Sequence, residues 1–263
     1  QLLMKLRFLL LLTALAFSFS LAQTQQWITR YNGAKENIDR GNAVATDASG
    51  NIYTGGYSFT KGEGRNAVIL KYNASGALQW STLYNTTSDK TDEVKDIAVD
   101  AAGNVYVTGV GNSNYLTLKL NASGTVLWAS SYNGLGQDYD EAVDIAIDAS
   151  GNVYVTGRSD RDEFVNINYD YATVKYNAAG VQQWVSTYNG TGNLDDRANA
   201  LALDASGNVY VTGQSFNPAN EDAVTIKYNT AGVQQWIKIE NRGFGDDTGE
   251  AIVADASGVY IAG

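Results

Sequence analysis

Residues 148–157 read Asp-Ala-Ser-Gly-Asn-Val-Tyr-Val-Thr-Gly, and variants of this decapeptide return along the whole chain. The copies are 48–56 residues apart and begin at Asp47, Asp100, Asp148, Asp204 and Asp255. A second marker has the same period, since tryptophans occur at Trp27, Trp80, Trp128, Trp184 and Trp236. Two markers with one period identify an internal repeat of about 50 residues.

Each repeat is predicted to form four short β-strands. Alternating apolar residues that end at the aspartate, as in residues 97–100, form the first strand. The Val-Tyr-Val-Thr-Gly segment, rich in β-branched and aromatic residues, forms the second. The third precedes an Asn-x-x-Gly turn, and the fourth carries the tryptophan and leaves through Tyr-Asn-Gly. We expect Asp-Ala-Ser-Gly-Asn to form a type I turn followed by a left-handed glycine.

Four strands in a repeat of about 50 residues are typical of a β-propeller blade. The predicted fold is therefore all-β, a β-propeller of four-stranded blades, with about four and a half blades in this chain. Its units are predicted to span residues 27–79, 80–127, 128–183, 184–235 and 236–263, the last one incomplete. A lone fourth strand is expected at residues 27–31, and the tryptophans are expected between neighbouring sheets.

The amino-terminal residues 1–22 have the pattern of a secretory signal peptide. We take Met4 as the true start, with residues 1–3 as upstream translation. Two early basic residues precede an apolar run at 8–17, and small residues at positions 20 and 22 suit cleavage before Gln23. The alternative is a membrane anchor, but an apolar stretch of about 15 residues is shorter than the roughly 20 that span a bilayer.

The composition excludes several classes of function. The 263 residues contain no cysteine and no histidine, so disulfides, thiolate metal sites, histidine metal sites and a Ser-His-Asp triad are all excluded. A formal net charge of −10 argues against a nucleic-acid partner, because no basic surface is available to neutralise phosphates. We expect residues 23–263 to be exported, without a membrane span after signal cleavage and without enzymatic activity.

The motif D-[AS]-x-G-N-[VI]-Y-V-T-G, with its tryptophan and Tyr-Asn-Gly exit, resembles the SBBP β-propeller repeat of bacterial secreted and cell-surface proteins. The resemblance extends from Trp27 to Gly263, although the last copy lacks the asparagine after its glycine. It implies a propeller that commonly has seven blades, export, and a biochemical role that is mostly undefined. On that basis we expect this chain to be a fragment of a seven-bladed or larger propeller.

A recurring acid is the first candidate site. An aspartate precedes every turn aspartate by eight residues, at Asp39, Asp92, Asp140, Asp196 and Asp247. Equivalent positions of successive blades converge around a propeller axis, so five carboxylates could bind Ca²⁺ through hard oxygen ligands. The alternative is that each aspartate caps a loop or bonds backbone of the neighbouring blade. Recurrence in every unit favours the structural alternative, and no cofactor is expected.

The other candidates are the turn aspartates and the variable loops. Asp-x-x-Gly-Asn lacks the Asp-x-Asp-x-Asp series of an EF-hand, so we interpret it as turn chemistry. The connections between second and third strands differ from unit to unit, and there Phe164, Tyr169 and Phe216 form a candidate ligand surface for sugars or peptides. The alternative is a solvated loop.

Two functions remain open from the sequence. The first is a non-catalytic binding or scaffolding module for a protein or glycan partner, in the medium or on the cell surface. The second is a propeller module of a larger secreted enzyme whose catalytic domain lies outside this chain. Catalysis by the propeller itself is disfavoured, because the recurring carboxylates do not form an asymmetric catalytic pair.

Overall fold

The turn motifs and the strand pattern together fold the chain into antiparallel sheets. The computed structural model describes residues 25–33, 38–60, 64–86, 90–136, 139–161, 168–243 and 245–263. The described residues form strands and turns without a helix, and none of them provides the long apolar helix that crossing a membrane requires. The predicted signal peptide, residues 1–22, lies outside the described residues.

Four meanders of four strands and one final hairpin follow each other along the chain, and we call them blades 1 to 5. Blades 1 and 2 consist of β1 (Asp39–Thr46), β2 (Ile52–Thr60), β3 (Gly64–Tyr72), β4 (Leu78–Tyr84), β5 (Lys90–Val99), β6 (Val105–Gly111), β7 (Asn114–Leu120) and β8 (Val126–Tyr132). Blades 3, 4 and 5 consist of β9 (Glu141–Ile147), β10 (Val153–Asp160), β11 (Tyr169–Tyr176), β12 (Gln182–Tyr188), β13 (Asp196–Leu203), β14 (Val209–Phe216), β15 (Glu221–Tyr228), β16 (Gln234–Glu240), β17 (Ala251–Ala254) and β18 (Val259–Ala262).

Within a blade each strand pairs with the next one in the chain, and a short parallel pairing of β3 with β5 joins blades 1 and 2. The first strands of successive blades lie side by side, in the order β1, β5, β9, β13 and β17. Sheets that share an inner row of first strands have the radial arrangement of a β-propeller. The predicted fold class is confirmed.

The hydrophobic core lies between blades rather than within one. Tyr53 and Ile69 of blade 1 pack with Ile97 and Leu118 of blade 2, and all four are buried. Blades 2 and 3 repeat this arrangement, as do blades 3 and 4. Each blade therefore depends on its neighbours to bury its faces, as expected of a repeat protein.

A bulge recurs in the first strand of blades 1 to 4. In blade 2 the pairing of β5 with β6 skips Lys95, between Val94 and Asp96. The glycine that ends the repeated motif lies opposite the bulge, and a Cβ on Gly109 would overlap the carbonyl oxygen of Glu93. The motif requires glycine here because the backbone of the bulged strand approaches so closely.

Four of the five tryptophans contact the following repeat, as predicted, whereas Trp236 is 38% exposed and contacts Tyr210 of its own blade. The indole N–H of Trp80 donates to the carbonyl oxygen of Ala122 in the next blade, at 3.0 Å. Trp27 makes the same contact with Ala74 of blade 1, at 3.2 Å. The expected strand at residues 27–31 is not formed, since no pairing is assigned to residues 25–33. The tryptophan nevertheless occupies the position that a fourth strand would give it.

Candidate functional site

The two ends of each blade differ in construction. We call the end with the turns after the first and third strands the turn end, and the opposite end the loop end. The turn end repeats the same motifs in each blade. The loop end carries the connections between second and third strands, which differ, and the passages from one blade to the next.

At the turn end the Asp-x-x-Gly-Asn-x-Tyr motif is one hydrogen-bonded unit. In blade 3, Oδ1 of Asp148 accepts the backbone N–H groups of Ser150 and Asn152, both at 2.9 Å. Its Oδ2 accepts the side-chain amide of Asn152 at 2.7 Å and the hydroxyl of Tyr154 at 3.1 Å. Gly151 has a φ of 77°, the expected left-handed conformation. The carboxylate is fully engaged in its own turn, which agrees with the turn interpretation.

These bonds favour the ionised aspartate. The side chain of Asn51 is the main group that lowers the pKa of Asp47, to about 2. Burial acts in the opposite direction on Asp148, but hydrogen bonds from Asn152, Ser150 and Tyr154 outweigh it and lower the pKa of that carboxyl. The turn end therefore carries carboxylates that stay charged.

At the loop end the five candidate calcium ligands cap backbone. Each accepts the backbone N–H of the residue that follows Tyr-Asn or its equivalent at the exit of the preceding fourth strand. The donors to Asp39, Asp92, Asp140, Asp196 and Asp247 are Gly33, Thr86, Gly134, Gly190 and Arg242, at 2.9, 3.0, 3.0, 2.5 and 2.8 Å. The aspartates thus hold each passage between blades, which is the structural alternative that recurrence favours.

Asp140 shows how completely such a carboxyl is used. Besides Gly134, it accepts the hydroxyl of Ser159 at 2.7 Å and the N–H of Asp160 at 2.9 Å. Burial raises the pKa of Asp140, and the same cause raises the pKa of Asp92 and Asp196. The described ranges contain no group of three or more acidic side chains arranged to hold a metal ion. Calcium binding by the five aspartates stays a prediction.

The aromatic loop candidates meet arginines. Phe164 lies outside the described residues. The guanidinium of Arg158 lies 4.8 Å from the ring centre of Tyr169, and that of Arg197 lies 5.9 Å from it. Arg197 also lies 5.6 Å from the ring centre of Phe216. The two rings therefore belong to a row of alternating cations and aromatics across blades 3 and 4. Their role as a ligand surface stays a prediction.

A cavity of about 300 Å³ opens at the loop end between blades 2 and 3. Its lining combines apolar and polar side chains, among them Tyr132, Leu135, Ser159, Arg161, Asp170 and Asn189. Leu135 is 79% exposed. The bonds of Asp140 to Ser159 and Asp160 fix one wall, so a residue of the predicted acid ring shapes this cavity.

The sequence analysis missed an ion-pair network across blades 1 to 3. Lys95, the bulged residue, binds Glu93 at 3.1 Å and Glu141 at 2.8 Å. Arg65 continues the network to Glu93 at 3.3 Å, and Arg158 continues it to Glu141 at 2.8 Å. Glu93 and Glu141 directly follow Asp92 and Asp140, at a position where the other blades have Arg or Thr. The acid at this position in two successive repeats was the signal available in the sequence.

The analysis also missed a carboxyl pair on the inner strands. Asp96 and Asp144 occupy equivalent positions in blades 2 and 3, where the other blades have Ala43, Ala200 and Ala251. The two carboxyls converge on one backbone N–H group, that of Ile145. Acid in place of alanine in two successive repeats was the signal that could have identified them.

The profile described as "Beta-propeller repeat" (SBBP) matches residues 26–58, 79–115 and 130–164. Among solved structures, the periplasmic gluconolactonase PpgL of Pseudomonas aeruginosa is similar, with a TM-score of 0.56 and 14% identity, over 85% of this chain and 63% of that chain. This chain thus spans less than two thirds of that protein, and the likeness shows the fold alone. A protein of unknown function from Bacteroides caccae has a TM-score of 0.35 and 13% identity, over 76% of this chain and 81% of that chain. No curated protein matches this chain.

Proposed function

Since three segments of this chain match the SBBP β-propeller repeat, we propose that it is an exported, non-catalytic binding module for a glycan or protein partner. Export rests on the leader pattern of residues 1–22. The absence of histidine and cysteine from the sequence supports a role in binding rather than catalysis.

The loop-end cavity between blades 2 and 3 is the observation that carries the proposal. A constant scaffold with variable loops at one end is a common arrangement for recognition. The cavity has hydrogen-bonding groups of both kinds, from Arg161, Asp170 and Asn189, beside the exposed apolar surface of Leu135. Its volume of about 300 Å³ is at the lower bound for small-ligand sites, which suits one sugar unit or one peptide side chain.

Glycan-array binding by the full chain tests this proposal. We expect Leu135→Ala and Arg161→Ala to weaken binding about tenfold or more, because each removes a contact worth about 1.4 kcal/mol. Leu127→Ala is the matched control, since Leu127 is 54% exposed and lies at the turn end of blade 2. Equal losses in all three variants, or none in the two cavity variants, would exclude the cavity as the glycan site. Peptide-library binding lost in the same two variants would assign it to a protein partner instead.

A further inference from the structure

The inner strands of blades 2, 3 and 4 are joined through two carboxyl groups. Oδ2 of Asp96 accepts the backbone N–H of Ile145 at 3.1 Å, across the junction of blades 2 and 3. Oδ1 of Asp144 accepts the same N–H at 2.8 Å. The other oxygen of Asp144 accepts the N–H of Leu201 at 2.6 Å, across the junction of blades 3 and 4. Two carboxyls that converge on one donor in this way can bond to each other only if one of them holds a proton.

Three described basic side chains of blades 2 to 4 are engaged by other acids. Lys95 binds Glu93 and Glu141. Arg158 binds Glu141, and Arg197 binds Asp195. The pairing partners on the second strands are neutral, Thr108 opposite Asp96 and Thr156 opposite Asp144.

The surrounding strands carry further charged groups. On β1, β3, β5, β7, β10 and β13 these are Asp39, Arg40, Arg65, Lys71, Asp92, Lys119, Asp160 and Asp196. The pKa of Asp144 depends chiefly on burial, on Asp96 and on the N–H groups of Leu201 and Ile145. None of the further charged groups is among these main causes. A proton shared by the two carboxyls would therefore offset the repulsion between them.

We propose that Asp96 and Asp144 form a proton-operated clamp that holds the inner strands of blades 2, 3 and 4 together while they share a proton and loosens when that proton leaves. Burial, followed by the contact with Asp96, raises the pKa of Asp144 from 3.8 to about 8. The folded chain thus retains a proton that the unfolded chain releases near pH 4. Stability from the clamp is fully present below that pH and is lost as the pH rises toward 8.

Equilibrium unfolding of the full chain at pH 5, 6.5 and 8.5 tests the clamp through Asp144→Asn. The asparagine oxygen can keep the bond from Leu201 while its amide donates to Asp96, so the variant places a hydrogen between the two side chains at every pH and gives up only the second bond from Ile145. We expect the unfolding constant of the unaltered chain to rise relative to the variant by up to about tenfold per pH unit in this interval. Asp47→Asn is the matched control, because Asp47 is already ionised throughout and its ratio to the unaltered chain should stay constant.

Carbon-13 NMR of labelled aspartate carboxyls gives a second test that needs no stable variant. One carboxyl of the unaltered chain should titrate near pH 8, and its transition should disappear in Asp96→Asn or Asp144→Asn. The clamp is overturned if every aspartate carboxyl titrates below pH 5, or if the ratio of unfolding constants for Asp144→Asn does not change with pH.

Discussion

At the turn end, hydrogen bonds outweigh burial and lower the pKa of aspartates such as Asp148, whereas burial raises the pKa of loop-end carboxyls such as Asp140. Both groups accept backbone N–H bonds and both recur in the repeat. The difference lies in position: the turn aspartate serves a local turn at the surface, while the loop-end aspartate is buried where two blades meet. The turn end is thus held by bonds within one turn, whereas the loop end is held by bonds at the passages from one blade to the next.

Substitution of the tyrosine of the motif should lower the free energy of unfolding more than substitution of the glycine or the aspartate of the motif. Tyr154→Ala empties a fully buried site between blades 3 and 4, so we expect a loss of about 3–5 kcal/mol in the free energy of unfolding. Tyr154→Phe removes only the hydroxyl bond to Asp148 and should cost about 1 kcal/mol. Urea unfolding followed by circular dichroism measures both. Similar losses in the two variants would mean that the bond, not the packing, stabilises the turn end.

The glycine that ends the motif, where the bulge lies opposite it, should be the next most sensitive position of the scaffold to substitution. A Cβ on Gly157 would overlap the carbonyl oxygen of Glu141, so Gly157→Ala should cost about 1–3 kcal/mol. Gly41→Ala, on the first strand of blade 1, is the control because nothing lies within 4 Å of its added Cβ. Thermal unfolding compares the two variants, and an equal shift would show that the bulge can relax.

The opposite pKa shifts of Asp148 and Asp140 predict opposite pH dependences of modest size. The lowered pKa of Asp148 gives stability that is present above pH 4 and lost in stronger acid, so the deficit of Asp148→Asn, about 1 kcal/mol at neutral pH, should shrink below pH 4. The raised pKa of Asp140 gives stability that is lost as the pH rises from 4, so the deficit of Asp140→Asn should shrink in the other direction. Urea unfolding from pH 3 to 8 measures both, and parallel profiles would contradict the comparison.

The local part of this architecture was predictable from the sequence, because it depends on residues close together in the chain. Asp148, Gly151 and Tyr154 lie within seven positions of each other, so the turn follows from their spacing. The contacts of Lys95 with Glu141 and of Asp96 with Ile145 join residues about 50 positions apart. These contacts also depend on the bulge in the first strand, which changes the direction of the side chains. No residue pattern within one repeat indicates that bulge.

The loop-end aromatics show the same limit. The sequence places Tyr169 and Phe216 next to variable loops, but it does not show that both rings contact Arg197. That arginine occupies the position where blades 2 and 3 have glutamate. One sequence therefore predicts the repeated scaffold and the end that carries the variable loops, but it does not predict which side chains each variable residue contacts.

The tryptophan contact gives the assembly a direction. The first four indoles contact the turn of the following repeat, as Trp80 does at Gly124 and Trp128 at Gly180, and none of the four is bonded to a preceding repeat among the described residues. A duplicated unit inserted in such a series would receive the indole of the preceding repeat on its turn and place its own indole on the turn of the following repeat. Gene duplication could thus lengthen the array without inventing a new junction, leaving selection free to act on the loops alone.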